Sequence, residues 1–263
     1  MYNKKIFKGV INILKEMSEK IFAIEVENLT KKFGEFIALR NISFNVMPNE
    51  IFGLIGPNGA GKTTTLRILA TLLLPTDGIV KIFNYDIISE ANKIREILSY
   101  LAEDAGAYRN LSGYEYLKIV GKIYFSSKKD LEEAIEEAIK ISGLKNRIND
   151  KVKNYSKGMK RRLQVARTFM VKPKLAILDE PTAGLDVIHA QYIRQIIKDY
   201  AEKMGITIIL SSHNMLEVEN LCSRIALIHN GEIVTIGNPK ELKEKFNASN
   251  LEEVFIKVAK IEE

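Results

Sequence analysis

The chain has 263 residues, 46% apolar and 27% charged, with a formal net charge of +6, one cysteine and three histidines. Such a composition describes a globular chain with enough apolar mass for a proper core, either one large domain or one domain with an inserted lobe, and sets aside fibrous and disordered classes. The lone Cys222 excludes an intrachain disulfide and a thiolate metal site, the scattered histidines argue against structural zinc, and no apolar run approaches the roughly 18 residues of a membrane span, so a reducing, cytoplasmic setting is expected and any membrane role acts from the surface.

Residues 1–20 carry Ile6, Phe7, Val10, Ile11, Ile13, Leu14 and Met17 at helical spacing among lysines, which predicts a basic amphipathic extension. Interrupting charges and the lack of a small-residue cleavage site disfavour a secretory signal. Such a helix either packs on its own domain or lies against a membrane face or a partner. Residues 22–46 read as strand, turn and strand, and residues 51–56, "IFGLIG", as a compact strand. A helix is expected from Lys62 until Pro75. Between these two elements lies "GPNGAGKT", residues 56–63, a phosphate-binding loop made of Gly56, Pro57, Asn58, Gly59, Ala60, Gly61, Lys62 and Thr63. Its glycines let successive backbone N–H groups turn inward around phosphate oxygens, and the amino end of the helix adds a favourable field. Lys62 then neutralises the β- and γ-phosphates, the Thr63 hydroxyl is suited to magnesium, and Thr64 offers a further hydroxyl near the α-phosphate.

Residues 78–87 read as one or two more strands, and the early strands together suggest a small antiparallel sheet. Helical periodicity then dominates residues 91–142, ending in an amphipathic helix stopped by Gly143, and the stretch from about residue 100 to 154 is expected as an inserted helical lobe. Residues 145–174 hold eleven basic residues against one acid, Asp150, so that the remainder of the chain is slightly acidic. A nucleic acid backbone, or a bound nucleotide with an anionic neighbour, would suit such a run. A helix through Ala166 and Met170 follows, then a strand ending in "LAILDEP", residues 175–181. Successive strand residues point opposite ways, so Asp179 and Glu180 need different tasks. Asp179 is placed to accept from magnesium-bound water, and Glu180 to polarise the water that attacks the γ-phosphate. A helix over residues 187–205 leads to the strand "ITIILSS", and His213 follows it at the carboxyl edge of the expected sheet, where ligands gather, within reach of the γ-phosphate or the attacking water. His189 and His229 have no such setting and read as ordinary surface or helix residues. A helix over residues 214–223, strands over 224–231 and 232–237, and a last helix from Pro239 to about Phe246 with a short tail complete the chain. Alternating strands and helices predict a mostly parallel sheet covered on both faces.

With these motifs in this order, the chain resembles the nucleotide-binding ATPase subunit of an ABC transporter over about residues 22–237. The resemblance implies an α/β fold: a P-loop NTPase core with a mostly parallel sheet, a small antiparallel β subdomain and an inserted helical subdomain. It divides the chain into an extension at residues 1–20, an ATPase domain at 21–240 with its helical subdomain at about 100–165, and a helix and tail at 241–263. "YSKGM", Tyr155, Ser156, Lys157, Gly158 and Met159, falls where the family has Leu-Ser-Gly-Gly-Gln, the segment that caps ATP held by the opposite subunit; Lys157 and Met159 replace a glycine and a glutamine. "AGLD" supplies Asp186 as the implied contact between subunits, and Phe33 stands where the family stacks an aromatic ring on adenine. Glu103 aligns with a hinge glutamine that touches magnesium, where a carboxylate keeps an oxygen ligand but adds negative charge. The implied cofactors are ATP and Mg2+. The implied partners are a second copy or a similar ATPase subunit and a separate transmembrane permease, with no specific nucleic acid, at the cytoplasmic face of the membrane. The resemblance is nearest to exporters whose membrane proteins are separate chains. The rival readings are a soluble ABC-type ATPase acting on nucleic acid or ribosomes, which the basic run would serve, and a nonhydrolysing clamp, against which Lys62, Asp179, Glu180 and His213 argue.

Overall fold

The computed structural model describes residues 22–259; the amphipathic extension expected at residues 1–20 lies outside them. The chain opens with β1 (Ile24–Phe33) and β2 (Phe36–Val46), then β3 (Ile51–Ile55), α1 (Lys62–Leu69), β4 (Asp77–Ile82), β5 (Tyr85–Asp86), α2 (Ala91–Ile97) and β6 (Leu98–Leu101). After these come α3 (Gly113–Tyr124), α4 (Lys128–Ser142), two 3-10 turns at Lys145–Asn149 and Val152–Asn154, and α5 (Lys157–Met170). The last part alternates again: β7 (Leu175–Asp179), α6 (Val187–Met204), β8 (Thr207–Ser212), α7 (Met215–Leu221), β9 (Arg224–His229), β10 (Glu232–Gly237), α8 (Pro239–Lys245) and α9 (Leu251–Ala259).

The strands form two sheets. One is antiparallel, in the order β2-β1-β4-β5, and the other runs β10-β9-β3-β8-β7-β6, parallel except for β10. Strand periodicity assigns the inner strands to two cores at once. Leu175 and Ile177 of β7 and Ile209 of β8 join the core shared with β1, β2, β4 and α1. Ala176 and Leu178, with Ile208 and Leu210, face the core shared with α3, α4, α5 and α6. Burying each such Leu or Ile contributes about 1.5–3 kcal/mol before entropy is subtracted, so a polar residue anywhere on β7 or β8 would damage one core or the other. Local signals frame the helices: Ser112 and Glu115 form a capping box on α3, Ser127 caps α4, and Gly143 ends α4 in left-handed backbone with φ 57. Among the described residues no helix is long and apolar enough to cross a membrane.

Three elements differ from the sequence reading. The stretch from residue 91, where helical periodicity is expected to dominate, contains β6, which pairs in parallel with β7 at Leu98↔Leu175 and Leu101↔Leu178. Its residues Leu98, Ser99 and Leu101 are buried, and a short apolar run buried in a sheet carries no alternation to mark it. The helix expected to reach Pro75 stops at Leu69, because Thr71 adopts left-handed backbone (φ 58) and its hydroxyl accepts from Arg95 Nε at 2.8 Å. The expected tail contains α9, whose Leu251, Val254 and Val258 are buried at helical spacing.

Candidate functional site

Parallel register brings the chemistry to one sheet edge. Asp179 stands opposite Ser211, and Ile55 opposite Ser212, so the loops leaving β3, β7 and β8 emerge side by side. After β3 the chain turns through the glycine loop into α1. Gly61 caps that helix with φ 108, and a Cβ there would stand 2.7 Å from Leu39 Cδ2, so only glycine fits. No side chain caps α1, so its leading N–H groups are available to an anion. Lys62 is buried, and its ammonium donates to the Gly56 carbonyl at 2.7 Å and the Pro57 carbonyl at 3.1 Å. It lies 3.6 Å from Glu180 Oε1. Thr63 donates its hydroxyl to Asp179 Oδ1 at 3.3 Å, while Thr64 is half-buried on the next helical position.

Asp179 is buried and accepts from Ser211 at 2.6 Å and from the Tyr100 hydroxyl at 3.4 Å. Burial first, and the Asp179 carboxylate second, push the Tyr100 phenol up to about 12, so it remains a donor. Glu180 is buried in left-handed backbone, φ 47, a conformation that costs a non-glycine residue about 1–2 kcal/mol and re-aims the side chain. Its N–H donates to Ser211 Oγ at 2.9 Å, and its Oε2 lies 2.9 Å from His213 Nδ1. Its Oε1 is buried without a hydrogen bond, on the Lys62 side. The Thr63 hydroxyl and the Asp179 carboxylate form a hard oxygen donor set, which fits Mg2+. His213 itself is 55% exposed, open to a ligand.

The second candidate cluster sits elsewhere. Ser156 caps α5, accepting from the Met159 N–H at 3.2 Å, and is exposed together with Lys157. Among the described residues no hydrogen bond or ion pair joins residues 155–159 to residues 56–64. The Tyr155 ring is buried and donates its hydroxyl to the Arg147 carbonyl at 2.7 Å, so its side chain belongs to the core rather than to a surface contact, and Met159 packs partly against the same core. Gly158 lies against the His189 ring so closely that a Cβ on Gly158 would overlap it. Asp186 caps α6, accepting from the His189 N–H at 3.0 Å and lying 2.7 Å from His189 Nδ1. The His189 N–H, more than any other cause, holds the Asp186 carboxyl below its ordinary range. His189 is therefore not an incidental helix residue: it joins Gly158 to Asp186 within one chain. His229 instead packs edge-on against Phe255, ring centres 5.7 Å apart. Phe33 is 48% exposed at the end of β1, with Lys31 Nζ 4.9 Å from its ring centre. The Glu103 side chain is exposed just beyond β6.

The basic run is less available than its composition suggests. Arg161 is buried and donates to five carbonyls, those of Pro181, Ala102, Glu103, Asp179 and Glu180, at 2.7–3.1 Å. Burial lowers it from 12.5 to about 10, against the opposing pull of Asp179, Glu103 and Glu180, so it stays charged. Gln164 donates to Ala105 and Arg167 to Tyr100, so one face of α5 ties down β6 and the first residues after it, 102–105. Arg162 turns to the Ser142 carbonyl at 2.7 Å and lies over the Tyr192 ring. Sequence reasoning counted these arginines toward an external anion and missed both Arg161 and Ser211. The available signal for Arg161 was its spacing with Gln164 and Arg167, polar residues three apart in "RRLQVARTFM" with apolar residues between them.

Comparison with known proteins bears on this geometry. A family model described as "ABC transporter" matches residues 39–183, a span holding the glycine loop, the α5 start and both strand-end carboxylates. The chain is 41% identical to the uncharacterized ABC transporter ATP-binding protein YdbJ of Bacillus subtilis (strain 168) over 217 residues, 82% of this chain and 69% of that one. It is 37% identical to the bacitracin transport ATP-binding protein BcrA of Enterococcus faecalis over 224 residues, 85% of this chain and 72% of the relative. Among solved structures it resembles a dimeric ATP-binding cassette in a post-hydrolysis state bound to ADP and Pi, with TM-score 0.74, 27% identity, and coverage of 82% of this chain and 98% of that one.

Proposed function

The chain belongs to the ABC transporter family as an ATP-binding, ATP-hydrolysing subunit, and from that premise we propose how its residues divide the work. Two copies, or this chain and a similar subunit, enclose two ATP molecules. In each site Gly56, Pro57, Asn58, Gly59, Ala60, Gly61, Lys62, Thr63 and Thr64 of one chain hold the phosphates, and Phe33 stacks on the adenine. Ser156, Lys157 and Gly158 of the other chain close over the γ-phosphate, with Tyr155 and Met159 holding that helix start in place. Thr63 and Asp179 would hold Mg2+, with Glu103 as a further oxygen ligand, and the cation would supply charge neutralisation for the transferred phosphoryl group. Lys62 leaves the carbonyls of Gly56 and Pro57 for the phosphates. Glu180 orients the attacking water and draws its proton, and His213 fixes the Glu180 carboxylate while contacting the γ-phosphate. Asp186 meets the other subunit.

The observation that carries this reading is the Glu180 carboxylate. One oxygen is held 2.9 Å from His213, and the other is buried beside Lys62 without a hydrogen bond. An orphaned buried carboxylate oxygen is costly unless a ligand completes it, and a water placed against the γ-phosphate would do so. Closure and reopening of the pair would be passed, through the surface around Glu103 and residues 105–113, to a separate permease, with this chain peripheral at the cytoplasmic face. The names of BcrA and of the linearmycin resistance ATP-binding protein LnrL of Bacillus subtilis favour outward movement of a drug-like compound. Glu180→Gln tests the site: it is expected to keep ATP affinity while turnover falls by at least ~10²-fold, as for loss of a positioned proton acceptor. Turnover near the parental rate would overturn the role given to Glu180.

A further inference from the structure

Behind the Glu180–His213 contact lies a second link between the same two loops. Glu217, in the first turn of α7, is 3% exposed. Thr182, two residues after Glu180, donates its hydroxyl to both Glu217 oxygens at 2.6 Å. Ser212, immediately before His213, donates to Glu217 Oε2 at 3.3 Å. The ring is closed by backbone: the Asn214 N–H donates to Ser212 Oγ at 3.0 Å, and the Glu217 N–H donates to Asn214 Oδ1 at 3.2 Å. The loops after β7 and β8 are thus joined by two rungs, an outer one that meets the reacting groups and an inner one made by Glu217. A cavity of about 610 Å³ between α6 and α7 opens beside both rungs, so packing alone does not hold these loops together there.

The charged groups facing Glu217 are Arg194 from α6, which forms no ion pair with it among the described residues, and Glu180 from the loop after β7, whose charge is of the same sign. Burial, more than any other cause, pushes its carboxyl up from 4.5. A lone buried carboxyl is unfavourable, and Asn214 already caps α7, so helix formation does not require Glu217. What its carboxyl does is accept from both loops at once. We propose that Glu217 is a positioning residue for hydrolysis, setting the separation of the Glu180 and His213 loops through Thr182 and Ser212. The outer rung meets the reacting groups, and the inner rung keeps the two loops in register behind it. This inference rests on the roles given to Glu180 and His213 above.

The test is steady-state ATP hydrolysis by the full chain carrying Glu217→Ala, Thr182→Val or both, with Glu217→Gln and Glu180→Gln alongside. Misplacing a reacting group by a fraction of an ångström to an ångström can cost up to about 10²-fold, and a loss of about tenfold in kcat is expected for each of the first two variants. KM for ATP should stay within about twofold, because the groups that bind the phosphates are untouched. The double variant should lose little more than either single one, since both cut one link. Glu217→Gln, which keeps an oxygen acceptor for Thr182 and offers an amide N–H that Ser212 Oγ accepts once its hydroxyl turns away, should recover most of the rate. Parental kcat in folded Glu217→Ala and Thr182→Val, additive losses, losses carried by KM, or a Gln variant as poor as Ala would each overturn the proposal. If Glu217→Ala does not fold, the Thr182→Val result decides alone. Parental turnover in Glu180→Gln would remove the reading of the site itself, whereas an inactive Glu180→Gln beside fully active Glu217 and Thr182 variants would remove only this inference.

Discussion

The two candidate half-sites differ in how completely their own chain builds them. At the sheet edge, Lys62, Asp179 and Glu180 are buried, and each already holds protein partners or lies beside one, with Arg161 and Ser211 behind them. At the start of α5, Ser156 and Lys157 are exposed, and the groups beneath them, Gly158, His189 and Asp186, form a platform with nothing from the glycine loop above it. A site that stabilises developing charge gains from donors fixed in advance, which calls for the buried half. A surface that must capture a ligand and release it calls for the exposed one.

The largest effect should come from removing the support of the buried half. Arg161→Met keeps the apolar stem but removes a charged donor from five carbonyls, of which those of Ala102 and Glu180 keep a backbone donor, so unfolding stability should fall by about 3–5 kcal/mol, read as a lower urea midpoint. An unchanged midpoint would mean that this edge is organised by something other than α5. A smaller, signed effect separates charge from shape at Glu217. Because its folded pKa is raised above 4.5, protonation of Glu217 favours the folded state. That contribution is complete below the unfolded value and is lost as pH rises through the folded one. The stability of Glu217→Gln relative to the parent should therefore grow as pH is raised from about 4.5, in parallel urea titrations. A difference that does not change with pH would show that the inner rung carries no titrating group.

What could be read from sequence and what could not divide along the same lines. The glycine loop, "LAILDEP" and "ILSSH" are local: each places a turn or a polar pair directly after an apolar strand, and neighbouring residues suffice to recognise them. The partnership of Asp179 with Ser211 depends on parallel register between strands far apart in the chain, which no local pattern reveals. Strand β6 has four residues and no alternation, so it was absorbed into the helical stretch on either side. Arg161 looked like one more cation in a basic run because composition reports charge and not burial. His189 failed for the opposite reason: one histidine on a helix has no pattern, and its contact with Gly158 exists only once α5 and α6 pack.

The central claim is that the two unequal halves come from different chains, and mixed dimers test it most directly. One partner carries Lys62→Ala, which removes the charge that meets the phosphates, and the other carries Ser156→Arg, which blocks the α5 start. If the halves combine across the pair, the mixed dimer has one site with both defects and one with neither. It should then trap a single nucleotide per dimer, while each pure variant dimer traps none. If each chain completes its own site, every site in the mixed dimer carries a defect, and the absence of trapped nucleotide in the mixed dimer would contradict the account.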